Sequence, residues 1–259
     1  MAMNTKSFLT RGVQFTLLVL PAMLILRAQQ PAKPAATLTG VWVIESRSPN
    51  FRGPQTEWST EKLPFTPKGL ELFLANKPGK GPRQTPPAFG NDPIGGANPY
   101  GLYRTLIYFR PMEIVQLPDK VIQMFEVGKN WRNIYTDGRP VPADVAGGPY
   151  WYGYSVGKWE GDTLVVNTLA LDGRAWFDEW GTPMTDDMKV EERWQRTTPD
   201  QLQLKITVTE PALFTKPWTS SPISYKLQRH SEPEEIIFAP VDESAFNDKI
   251  RNPAGTPKK

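Results

Sequence analysis

Residues 151–170 read WYGYSVGKWEGDTLVVNTLA, and at their centre Glu160-Gly161-Asp162 is a turn signal between two β-rich runs. Gly161 tolerates a positive φ, and Asp162 and Thr163 can bond their own neighbouring amides, so the chain reverses there for local reasons. The runs on either side, 152–159 and 163–170, have strand length, and the stretch predicts a β-hairpin. The same spacing recurs outward in both directions. Segments 112–117, 120–127, 131–136, 188–196, 202–210 and 223–229 read as strands, with Pro118-Asp119, Asp137-Gly138 and Pro199-Asp200 as tight turns between neighbours. Gly40 followed by Val41, Trp42, Val43 and Ile44 gives one more, nine in all. The prediction is an all-β protein, an antiparallel meander of hairpins that closes into a barrel.

The remaining segments attach to that body. Thr66 before Pro67 is a helix start, with Leu70, Phe73 and Leu74 on one face and Asn76 and Pro78 as the stop. Residues 77–101 hold six prolines and six glycines, which favours neither strand nor helix, and a loop that long reads as a lid near one barrel mouth or a surface excursion. The expected organisation is a signal peptide (1–28), a flexible leader (29–37), a single barrel domain (38–248) with a loop insertion at 47–105, and a disordered tail (249–259). Lys6 and Arg11 precede an apolar run that Pro21 interrupts, which is too short for a membrane helix and suits an exported protein, periplasmic or extracellular. Membrane contact is expected only through that segment if it stays uncleaved. Its removal takes away Lys6, Arg11 and Arg27 and leaves acidic and basic residues equal in number, so net charge gives no case for nucleic-acid binding.

Composition narrows the chemistry further. Cysteine is absent and His230 is the only histidine, which excludes disulfides, a thiol nucleophile, thiolate metal sites and a histidine-rich metal centre. No cofactor and no metal is expected. Gly153 to Gly157 spells G-x-S-x-G, but the segment runs on into a turn and another strand, whereas a nucleophile elbow needs a strand-turn-helix setting. Ser155 to Lys158 spells S-x-x-K, yet on a strand the two side chains point to opposite faces. The turn at Glu160 to Thr163 reads as turn chemistry, with a carboxylate pair at the barrel rim as the alternative.

Gly40-Val41-Trp42 resembles the G-x-W entry of lipocalins, in which the Trp closes the barrel floor, and implies a lipocalin-like, calycin-type barrel. The longer run from Trp151 to Thr168 resembles a family of uncharacterised secreted bacterial proteins marked by G-x-S-x-G-x-W-E-G-D-T-L-V-V; Asp137-Gly138-Arg139-Pro140, Glu192-Arg193 and Phe214 to Trp218 match as well. That resemblance implies export and a β-rich body and supplies no catalytic residue. Where members of the family carry histidines this chain has Val141, Tyr154 and Met184.

The candidate site residues are charges and aromatics in strand context. Glu126 shares a face with Ile122 and Met124, and Arg132 shares one with Ile134, which predicts a charged pair flanking that hairpin, structural or ligand-orienting. Glu192 lies on the face of Val190 and Trp194, while Arg193 should point the other way. Tyr154, Trp194 and Trp218 belong to an aromatic set suited to a core or to the wall of a pocket. The leading expectation is a protein that holds a small apolar or aromatic molecule in a barrel pocket. The alternatives are a hydratase, isomerase or lyase using Glu126 or Glu192 for proton transfer, and an envelope interaction protein with a filled barrel.

Overall fold

The computed structural model describes residues 37–45, 62–86, 89–96 and 98–234. The expected signal peptide, nearly all of the leader, much of the loop after the first strand and the C-terminal tail lie outside them. Among the described residues ten strands form one sheet: β1 Gly40–Ile44, β2 Met112–Gln116, β3 Lys120–Phe125, β4 Asn130–Tyr135, β5 Tyr154–Glu160, β6 Thr163–Leu169, β7 Lys189–Thr198, β8 Gln201–Thr209, β9 Trp218–Thr219 and β10 Ile223–Leu227. Period-2 alternation shows why they form a wall. In β8, Leu202, Leu204, Ile206 and Val208 are buried while the residues between them face outward.

Neighbours follow chain order from β1 to β9, β10 lies beside β1, and β10 also pairs with β8 from Ile223↔Leu204 to Lys226↔Gln201. That pairing closes the sheet into an all-β barrel of nine strands, with β9 held on the remaining length of the β8 edge by Thr207↔Thr219 and Val208↔Trp218. A ring with an odd number of strands cannot alternate direction all the way round, so one adjacent pair must run parallel. It is β4 and β5, joined only by Ile134↔Ser155 and Tyr135↔Val156. Asp137-Gly138 therefore turns the chain without making the expected hairpin. Pro140, Pro142 and Pro149 keep residues 136–153 from pairing as a returning strand, and the chain comes back to start β5 in the direction of β4.

Alternation of direction gives the barrel two unlike ends. Three tight turns, at 117–119, 161–162 and 199–200, share one end with the start of β1. In the second of them Gly161 sits at φ +60 between paired Glu160 and Thr163, as the opening position of a two-residue hairpin loop requires. Trp42 is fully buried at this end, its Nε1 donates to the Leu38 carbonyl at 2.9 Å, and the Arg196 guanidinium lies 5.2 Å from its ring centre. Arg196 also donates to the Thr37 carbonyl at 2.7 Å. The long connections gather at the opposite end. There Tyr103, on the short helix α2 Leu102–Leu106, stacks on Phe177 at 3.9 Å, and Trp218 stands edge-on to both at 6.0 and 5.8 Å. The Tyr225 hydroxyl donates to the Leu106 carbonyl at 2.7 Å and ties β10 to that helix.

Helix α1, Pro67–Ala75, starts at Thr66, whose side-chain oxygen accepts from the Gly69 amide at 3.0 Å. Its buried face is not the expected one. Gly69 and Phe73 face inward, while Leu70 and Leu74 are 44% and 60% exposed. The cause is a close approach: a Cβ on residue 69 would lie 2.2 Å from the Leu213 carbonyl oxygen, so the helix meets the 210–214 turn on its glycine, and the adjacent leucines rotate away.

Candidate functional site

Inside the barrel, Arg132 of β4 reaches across to Glu192 of β7. Its Nη2 and Nη1 donate to the two carboxylate oxygens at 2.9 and 3.2 Å, and both side chains are almost fully buried. The Trp194 indole donates to the same carboxylate at 2.9 Å, the Thr168 hydroxyl lies 3.4 Å from it, and Ser155 joins Thr168 at 2.9 Å. A bidentate arginine clamp with an indole donor satisfies a buried carboxylate well, which is what permits the charge to sit in a low-dielectric interior. Burial and then the nearby Glu192 charge push the Tyr225 phenol well above its ordinary value. Val190, Glu192 and Trp194 do share the inward face, and Arg193 points out to Glu160 at 2.7 Å, as the strand period required.

The expected pairing of Glu126 with Arg132 does not occur. The hairpin register sets Gln123, not Glu126, opposite Arg132, so Val121, Gln123 and Phe125 face inward and Glu126 falls beyond the strand end. Its carboxylate accepts from the Glu234 amide at 2.9 Å and lies 3.6 Å from Arg110. Tyr154 is on the outer face, where its hydroxyl accepts from Arg139 at 3.0 Å. Trp218 is part of the aromatic plug described above. Ser155 pairs with Thr168 across a regular antiparallel ladder and Lys158 points outward, so neither serine motif forms a nucleophile. The sequence candidates thus occupy four separate places, and Arg132, Glu192 and Trp194 line neither of the two clefts described next.

The first cleft, of about 270 Å³, lies at the plugged end, between the Pro/Gly-rich segment, α2 and Glu179. Asp92 accepts from Arg104 Nη1 and Nη2 at 2.9 and 2.8 Å and also from the Ile94 amide at 3.2 Å, which fixes the 3₁₀ turn Pro93–Gly96 against α2. Burial works against the Arg104 charge, but the Asp92 hydrogen bonds prevail and hold the guanidinium protonated. Lys80 pairs with Glu179 at 2.8 Å. Tyr100 and Tyr108 stand 5.2 Å apart, with Arg104 5.1 Å from the Tyr100 ring centre, and burial followed by the Tyr108 hydrogen bond pushes the Tyr100 phenol well up. The wall is held in place by Arg83, which donates to the Asn76 and Trp180 carbonyls at 2.8 and 2.6 Å and stacks over Phe73 at 3.8 Å. Each charge in the lining has an opposite partner, and the open surface is aromatic and aliphatic.

The second cleft, of about 520 Å³, lies on the outer wall around Glu113, Met124 and Trp131, under Glu232 and Pro233. It includes Glu126 from the sequence candidates. Tyr100, Arg104 and Tyr108 in the first cleft were absent from that set, although their spacing of four residues is a helical-face signal on either side of Gly101. No protein-family model, curated protein or solved structure matches this chain.

Proposed function

We propose that the protein is an exported carrier of a small apolar or aromatic molecule, and that the ligand lies at the loop end of the barrel in the cleft of Tyr100, Tyr108 and Ile94. The observation that carries this reading is the cancellation of charge in a half-enclosed aromatic site. Asp92 neutralises Arg104 and Glu179 neutralises Lys80, so the site offers flat apolar area with no net charge to satisfy. Its volume suits a ligand of one or two rings. The barrel interior is occupied by side chains instead: Trp42, Trp194 and Trp218 are fully buried within or against it. Export rests on the basic-then-apolar start of the chain and on the motif resemblance to secreted proteins.

The test is a titration of the mature chain with phenol, indole and 2-naphthol, read by thermal shift and by calorimetry. At least one should bind, and Tyr100→Ala or Tyr108→Ala should abolish the binding. Binding indifferent to both substitutions, or no binding by any ring compound, defeats the reading. A second reading, an interaction protein with a filled barrel, is favoured by the packed interior together with the exposed Leu70 and Leu74 on α1. The carboxylate enzyme gains no support, because Glu192 is clamped by Arg132 and Trp194 and Glu126 is engaged by a backbone amide.

A further inference from the structure

We propose that the outer wall of the barrel carries a separate binding site for a saccharide ring, in the cleft built around Trp131. The register makes the floor. Glu113↔Met124 and Met124↔Trp131 form one row across β2, β3 and β4, so the three side chains share the outward face as direct cross-strand neighbours. Trp131 ends this row 66% exposed, a large apolar surface that the fold leaves open beside a cleft of about 520 Å³. The cleft has a roof because the chain returns across the wall after β10, and the Glu234 amide is fastened to Glu126 at 2.9 Å, which sets Glu232 and Pro233 over the row.

One rim residue is held at a conformational cost. The β3–β4 turn has Gly128 at φ +70 and Lys129 at φ +49, and the second of these positions is one that a lysine disfavours and that Asn or Gly fills readily. Backbone strain of this kind gathers at ligand sites, where the surroundings hold it in place. Lys129 supplies donors at the rim, and Glu113 and Glu232 supply acceptors.

The ligand class follows from that mixture. The carboxylates of Glu113 and Glu232 and the Lys129 ammonium are half or fully exposed, so solvent and salt screen them, and the buried Glu126 carboxylate is already engaged by the Glu234 amide with Arg110 nearby, so ligand charge counts for little. What the cleft offers is a flat indole edged by donors and acceptors. A wholly apolar ring would cover the indole but strip water from the rim groups without replacing it. A pyranose has an apolar C–H face to lay on the indole and a belt of hydroxyls to meet both kinds of rim group.

The test uses the mature chain with ¹⁵N-labelled tryptophan, titrated with cellotetraose, maltotetraose and chitotetraose. At least one should move the Trp131 indole resonance, assigned by its loss in Trp131→Phe, while the other indole signals stay still. Trp131→Ala should weaken that sugar's affinity at least about tenfold, a loss of the order expected for one removed stacking contact. Because Trp131 is exposed, the circular dichroism of the variant should match the parent. Lys129→Gly should lower affinity while leaving the melting temperature unchanged or raised, since it relieves the turn. The proposal is overturned if none of the three sugars moves the Trp131 signal, if Trp131→Ala binds as the parent does, or if benzyltrimethylammonium moves the signal and the sugars do not.

Discussion

Of the bidentate arginine–carboxylate pairs among the described residues, two have both partners largely buried, and their surroundings differ. Arg132 and Glu192 sit inside the barrel at 2% and 0% side-chain exposure, and indole, hydroxyl and aliphatic groups close around them. Arg104 and Asp92 sit at 6% and 18%, with one flank open to a cleft. The bond geometry is nearly the same in both. What separates a clamp in the interior from one beside an open cleft is whether the neighbouring side chains fill the space next to it, and that is decided by strands in one case and by a Pro/Gly-rich connection in the other.

The largest effect is expected at Glu192. Glu192→Ala leaves a buried guanidinium without its partner and should lower unfolding free energy in urea by about 3–5 kcal/mol. The double change Arg132→Met with Glu192→Leu should recover most of that loss, because it removes both charges together. If the single variant is as stable as the parent, the interior pair is not the clamp described. At the cleft, Asp92→Ala strands hydrogen-bond donors on a side chain that keeps some access to solvent, and should cost less, about 1–3 kcal/mol, while weakening binding of a ring compound at Tyr100. An equal stability loss at both pairs would erase the distinction.

Alkali sharpens it further. Tyr225 has a folded-state pKa raised by burial and by Glu192, so the stability it contributes is fully present below the unfolded value near ~10 and is lost as pH rises toward the folded value. Tyr225→Phe should flatten the fall in melting temperature above that pH, measured against the parent over the same range. The smallest effect is expected outside both regions. Arg193→Ala removes a half-exposed pair with Glu160 and should leave the urea midpoint within error.

The barrel was legible because alternation and turn chemistry are local. The nine expected segments correspond to β1 to β8 and β10, with ends shifted by a residue or two, and the Glu160 to Thr163 turn is where its residues placed it. The parallel joint was legible only in the count, since nine strands in a ring force one, but nothing near Asp137-Gly138 shows which. Strand β9 is two residues long and is defined by its partner β8, so its own sequence carries almost no pattern. The face of α1 was misread because it is set by the Leu213 carbonyl against Gly69, a contact between residues far apart in the chain. The same holds for the site: strand parity put Glu192 and Trp194 together, but only the register reveals that Arg132 meets Glu192 and not Glu126.

The unlike ends of the barrel also decide how the molecule can be held. Arg196 grips the Thr37 carbonyl beside the 199–200 turn, so residue 37 lies at the end where Trp42 is buried, while the cleft of Tyr100 opens among the long connections opposite. Any tether continuing from residue 37 therefore pulls on the floor. A protein hung that way, or immobilised there for measurement, presents its loop-bearing crown to the surroundings and keeps its attachment clear of the Tyr100 cleft.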